Sequence, residues 1–130
     1  MIAVDTSALM AILLNEHTAA QCMAVLTANT EVVISAGTVA EALIVAERRN
    51  IGEEMAALID GFGFDIVAVS PAAARRVAEA YGRFGKGVHK AGLNFGDCFA
   101  YEVAKSRGCP LLYVGNDFAQ TDIVGALQAA

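Results

Sequence analysis

Four acidic residues stand at corresponding places in the chain: Asp5, Glu41, Asp97 and Asp117. Asp5 directly follows the apolar run Ile2-Ala3-Val4, and Asp117 comes shortly after Leu111-Leu112-Tyr113-Val114. Glu41 and Asp97 fall where the pattern predicts the first turns of two helices. Converging carboxylates repel one another and raise each other's proton affinity unless a cation neutralises them. No Lys or Arg lies within four residues of Asp5, Asp97 or Asp117, so a hard cation is the simpler neutraliser. Donor sets made of oxygen alone select Mg2+ or Mn2+ over zinc. Such an ion serves phosphate chemistry: it polarises a phosphoryl oxygen and lowers the pKa of a bound water, and a second ion can stabilise the leaving oxygen.

Each acid taken singly has a structural explanation. Thr38-Val39-Ala40-Glu41 matches a capping box, with a hydroxyl at the N-cap and Glu at the third helical position. Asn94-Phe95-Gly96-Asp97 is arranged similarly. Asp5 and Asp117 would favour helix N-termini through the macrodipole. Taken together the acids ask for more, because a charge pressed against Ile2-Ala3-Val4 is partly desolvated and needs a partner.

The elements that must position these residues follow from apolar periodicity. Strands are expected at Ile2–Val4, Glu31–Ser35, Phe64–Val69 and Leu111–Val114. Helices are expected over Thr6–Asn15, Glu16–Thr27, about Val39 to Arg49, Gly52–Phe62, from Ser70-Pro71 onward, and over Phe95–Arg107. In the helix after Pro71, Ala73, Val77, Ala80, Tyr81 and Phe84 share one face, opposite Arg75, Arg76, Glu79 and Arg83. Alternation of strands and helices predicts right-handed βαβ units, a mainly parallel sheet and helices on both faces. The expectation is one α/β domain over residues 1–130, with no linker or repeat. In a parallel sheet the carboxyl ends of strands and the starts of the next helices share one edge, where ligands of open α/β sheets bind.

Bulk properties narrow the classes. Of the residues 56% are hydrophobic and 18% charged, which excludes a disordered tail, and no apolar run is long enough to span a bilayer. The start lacks a signal-peptide pattern, and Cys22, Cys98 and Cys109 form neither a disulfide framework nor a zinc motif. A cytoplasmic protein with reduced thiols is expected. The net charge of −5 runs against nucleic-acid binding unless the acids hold metal ions, two of which would nearly neutralise it.

The segments Ile2-Ala3-Val4-Asp5-Thr6-Ser7-Ala8-Leu9, Val39-Ala40-Glu41-Ala42, Leu93 to Tyr101 (with Asn94-Phe95-Gly96-Asp97) and Leu111 to Phe118 resemble, in order, the motifs of VapC-type PIN domains. The resemblance covers essentially the whole chain. It implies a three-layer α/β/α PIN-like fold and Mg2+- or Mn2+-dependent endoribonuclease activity. It implies the toxin role in a VapBC-type toxin–antitoxin system, a homodimer, and inhibition by a cognate VapB-like antitoxin. Carried over, Asp5, Glu41, Asp97 and Asp117 are the catalytic, metal-site acids. Relatives often place Thr-x-Asp or Thr-x-Asn after the last strand, where this chain has Leu112-Tyr113-Val114, so the fourth acid is Asp117 or Asp122. Thr6, Ser7 and Asn116 would support the acids.

Gly82-Arg83-Phe84-Gly85-Lys86-Gly87 lacks the Ser/Thr of a phosphate-binding P-loop, and Gly85–Leu93 reads as a flexible basic loop. Arg83, Lys86 and Lys90 are candidate RNA contacts, while His17 and His89 stand alone without metal spacing. Two rival readings remain. A haloacid-dehalogenase-like Mg-dependent phosphohydrolase needs a second Asp where this chain has Ser7, and a well-placed lysine. A non-catalytic RNA- or protein-binding PIN module usually loses site acids that this chain keeps.

Overall fold

A computed structural model describes residues 1–127. The elements are β1 (Ile2–Val4), α1 (Thr6–Leu13), α2 (Ala19–Ala28), β2 (Val32–Ser35), α3 (Ala36–Arg48) and α4 (Gly52–Phe62). They continue with β3 (Asp65–Val67), α5 (Pro71–Phe84), α6 (Phe95–Arg107) and β4 (Leu111–Leu112), then a short 3-10 turn, Phe118–Gln120. The strands form one parallel sheet in the order β3-β2-β1-β4.

Alternation along these short strands builds the layers, because successive side chains of a strand point to opposite faces. Ile2, Val4, Ile34 and Leu112 face a core filled by Leu9, Met10, Leu26, Met55 and Ile59. Ala3, Val33 and Leu111 face a second core with Val77, Phe84, Leu93, Val103 and Phe118. The expected three-layer α/β/α arrangement is therefore present.

The chain adds strands outward from β1 to β2 to β3, then returns to place β4 on the other side of β1. This reversal opens a crevice at the carboxyl ends of β1 and β4, the usual ligand position in open α/β sheets. Asp5 and the Gly115-Asn116-Asp117 segment follow those two ends. The Asp5 N–H donates to the Leu112 carbonyl at 2.9 Å and locks the two strand ends together.

Several boundaries differ from expectation. β3 and β4 are shorter than the apolar runs that contain them. Helix α3 begins at Ala36, capped by the Ser35 hydroxyl on the Gly37 N–H, so Thr38 is not an N-cap and Glu41 lies in the second turn. The chain passes from strand to helix with no loop, which sequence pattern alone does not reveal. Tyr81, expected on the inner face of α5, is 39% exposed. Leu26, Met55 and Ile59 fill the core, with Val25 and Leu58 packed against it.

Candidate active site

Asp5 is the N-cap of α1. Its Oδ2 accepts from the Ser7 N–H at 3.1 Å and the Ser7 hydroxyl at 2.7 Å. Its Oδ1 is buried with no hydrogen-bond partner. Burial pushes the Asp5 carboxyl up from 3.8 to about 6; the Ser7 hydrogen bonds oppose this and the nearby Glu41 charge adds to it. Ser7 also ties the far side of the crevice, because its Oγ accepts from the Val114 N–H at 3.0 Å just beyond β4.

Asp97 is the third residue of α6 and half of a complete capping box. Its N–H donates to the Asn94 side chain at 2.8 Å, and its Oδ2 accepts from the Asn94 N–H at 3.0 Å. It is nevertheless 7% exposed. Burial raises its pKa to about 7 against the Asn94 hydrogen bond, and the charges of Asp5, Asp117 and Glu41 raise it further. The capping and clustering explanations of this acid hold together.

Glu41 reaches the same crevice from α3, where the Thr6 hydroxyl donates to its Oε1 at 2.7 Å. The carboxylate lies directly over the Cα of Gly96 in the first turn of α6, where any Cβ would collide with it. A second glycine acts alike nearby: a Cβ on Gly37 would strike the Phe99 ring. These two bare backbones let α3 and α6 approach closely enough to bring Glu41 beside Asp97. Neither glycine was singled out from sequence, because nothing in a linear pattern marks a close approach.

Asp117 is exposed and accepts no capping hydrogen bond, but its charge reaches Asp97. Asn116, its neighbour, is also exposed. Asp122 is turned elsewhere. It accepts from the Tyr101 hydroxyl at 2.6 Å and pairs with Lys105 at 3.2 Å and Arg83 at 3.5 Å. Desolvation raises its pKa, but Tyr101, Lys105 and Arg83 together outweigh it and leave the carboxyl below its ordinary value. Asp122 thus fastens the C-terminal segment to α5 and α6, which leaves Asp117 as the acid facing the cluster. Arg83 is held by that pairing and lies over the Phe84 ring. Lys86 and Lys90 are exposed on a loop closed by Gly85–Leu93 bridging.

The donor set suits a shared divalent ion in its chemistry. Asp5 Oδ1 is an orphaned buried acceptor, and every candidate donor is a carboxylate oxygen, the chemistry Mg2+ and Mn2+ favour. Asp5, Glu41 and Asp97 each fasten one oxygen to the protein through Ser7, Thr6 and the Asn94 N–H respectively. As placed, no group of three or more His, Cys, Asp or Glu side chains among the described residues stands close enough to hold an ion. Closing on one asks for side-chain rotation, which the exposed Asp117 permits. The residues fit such an ion in chemistry and tethering.

The chain matches the PIN domain over residues 2–124. Ribonuclease VapC30 of Mycobacterium tuberculosis is 41% identical over 123 residues, covering 92% of this chain and 94% of that protein. The chain belongs to the VapC branch of the PIN-domain family. Among solved structures, M. tuberculosis VapC20, a Sarcin-Ricin loop cleaving toxin, superposes with TM-score 0.78 at 18% identity, covering 98% of this chain and all of that one. A toxin–antitoxin complex from Klebsiella pneumoniae gives TM-score 0.73 at 18% identity, covering 99% and 100%. At those identities the likeness is one of fold. No helix among the described residues is long and apolar enough to cross a membrane.

Proposed function

We propose that this protein is a divalent-metal-dependent endoribonuclease, the toxin of a VapBC-type pair, acting in the cytoplasm. One observation carries the metal reading: Asp5, Glu41 and Asp97 each tether one carboxylate oxygen, and Asp5 keeps a buried oxygen without a partner. Held this way, Asp5, Glu41, Asp97 and Asp117 would share Mg2+ or Mn2+ at the crevice between β1 and β4. When bound, such an ion supplies Lewis-acid polarisation of the phosphodiester and an acidified water. The protein's part is positional: Ser7 and the Asn94 N–H fix Asp5 and Asp97, Thr6 fixes Glu41, and the two strand ends are locked together. Because water is the attacking group, the ribose 2′-hydroxyl is spared, and the products carry 5′-phosphate and 3′-hydroxyl ends.

A dehalogenase-type hydrolase is disfavoured by Ser7, which serves Asp5 as a hydrogen-bond donor where that chemistry needs a second carboxylate. The partner reading includes a homodimer and a VapB-like antitoxin, of which the likeness to a toxin–antitoxin complex supports the antitoxin. An antitoxin arginine inserted among the carboxylates would compete with metal by charge. The test is purified protein on a mixed RNA pool with and without Mn2+, mapping cut ends. Full activity in excess chelator, or 2′,3′-cyclic phosphate ends, would refute it.

A further inference from the structure

One feature next to the acids is not needed to hold a metal. An apolar groove of about 300 Å³ runs between α3 and the start of α6, lined by Gly37, Glu41, Ile44, Val45, Phe95 and Phe99. Glu41 lines the groove too, so the groove and the acid cluster share that carboxylate. Phe95 is the first residue of α6, two positions before Asp97, and is 69% exposed, the most exposed large apolar side chain described. Phe99 meets it edge-on, with ring centroids 4.9 Å apart and planes at 79°. The Phe95 ring is thereby propped from its own helix and turned to solvent.

We propose that this groove is a nucleobase subsite, in which a base of the RNA strand stacks on Phe95 while an adjoining phosphate lies beside the ion that the acids would hold. The inference rests on the nuclease reading above and extends it to how the strand is gripped. Unpaired RNA bases are held by stacking on aromatic side chains, a contact tolerant of base identity. A groove of about 300 Å³ has room for a planar base. It shares Glu41 with the acid cluster. The loop leading into α6 carries exposed Lys86 and Lys90, charge complementary to the next phosphates of the same strand. An acidic protein with net charge −5 gains little from long-range attraction, so local stacking is the physically available way to hold the strand.

The test uses Phe95→Ala, Phe95→Leu and Phe95→Trp with single-stranded RNA cut by the wild type in Mn2+. One nucleotide at a time around the mapped cut is replaced by an abasic residue. The expected result is one flanking position where base removal lowers kcat/KM about tenfold or more in the wild type. Phe95→Ala should lose the same factor on intact RNA and become indifferent to base removal there. Phe95→Trp should restore activity and Phe95→Leu should not, with melting temperatures unchanged because the ring is exposed. In the Asp97→Asn background, 2-aminopurine at that position should be quenched on binding, and adding Phe95→Ala should abolish the quench. Equal activity of all three variants overturns the proposal, and so does Phe95→Leu matching Phe95→Trp. Phe95→Ala that cleaves normally but loses dimerisation or antitoxin binding would assign the groove to a protein instead. Failure of the wild type to cut any RNA is a different outcome and strikes the nuclease reading itself.

Discussion

Asp97→Asn separates what this side chain does for the fold from what it does for the site. In the protein its pKa stands at about 7 rather than 3.8, chiefly through burial and then through Asp5, Asp117 and Glu41. A carboxyl that binds its proton more tightly folded than unfolded loses stability as pH rises between the two values. The loss is about 1.36 kcal/mol per pH unit, starting near 3.8 and ending near 7. The ionised side chain therefore costs about 1.6 kcal/mol at pH 5 and about 4 kcal/mol at pH 8 when no cation is bound. Against this stands the capping box: Oδ2 of Asp97 accepts from the Asn94 N–H, and an amide keeps that acceptor at a loss of about 1 kcal/mol.

The balance favours the variant by about 3 kcal/mol at pH 8 and is near zero at pH 5. For a domain of this size, at about 4 °C per kcal/mol, that is a melting temperature roughly 10 °C higher at pH 8 in chelator, with little change at pH 5. The wild type itself should melt lower at pH 8 than at pH 5, a slope the variant flattens. Manganese should raise the wild-type melting temperature at pH 8 and barely move the variant, which should also be inactive on RNA. Thermal melts in EDTA at both pH values, then with Mn2+, measure all of this. A variant no more stable than wild type at pH 8, or one that still cleaves, would refute the reasoning and leave capping as the role of Asp97.

Three further outcomes are expected. Gly96→Ala places a Cβ where the Glu41 carboxylate lies, and that flexible group can give way. The protein should melt at or slightly above wild type, since Ala suits a helix better, yet need several-fold more Mn2+ for cleavage; unchanged metal dependence would remove Glu41 from the site. Ser7→Ala strips hydrogen bonds from Asp5 and from the buried side of Val114, and should cost about 1–3 kcal/mol, read by denaturant melts, along with metal affinity read by Mn2+ titration. Asp122→Asn should keep cleavage at saturating metal and lose less than about 1 kcal/mol, its ion pairs being exposed, while Asp117→Asn should be impaired. Loss of activity in the first with retention in the second would reverse the assignment of the fourth acid.

The βαβ order, both layers of helices and the strand-end positions of Asp5 and Asp117 were readable because they depend on period and on neighbours in the chain. The Asn94–Asp97 capping box was readable for the same reason. Glu41 was found by its place after the second strand and by its resemblance to a motif, but its local explanation failed. Helix α3 starts at Ala36, three residues before the expected start at Val39, and Thr38, the supposed cap, is fully buried with its hydroxyl unpartnered. What holds Glu41 is Thr6, 35 positions away, and Gly96, further still. Such contacts arise only when α1, α3 and α6 have docked. Asp122 shows the same limit, because its proximity to Asp117 in sequence says nothing of the turn at Phe118–Gln120 that sends it to Tyr101 and Lys105.

The cost worked out for Asp97 also explains how the acids are supported. A site of converging carboxylates opposes folding, and more so as pH rises, so the surrounding fold has to over-determine it. The support here is of two kinds. Polar tethers from Ser7, Thr6 and Asn94 hold the ionised oxygens, and a locked Asp5–Leu112 backbone bond with buried Phe118 holds the two strand ends. Neither kind removes the charge. A ligand that does remove it binds the folded chain alone, and stabilises it by RT ln(1 + [L]/Kd). On the proposed function, a divalent ion and a cationic antitoxin side chain would then compete for the same source of stabilisation. Restraint and catalysis would draw on one cluster, and the metal concentration at which an antitoxin loses its hold should rise as pH falls toward the carboxyl pKa values near 6 and 7. Proton uptake weakens a doubly charged competitor more steeply than a single guanidinium that leaves some carboxyls protonated.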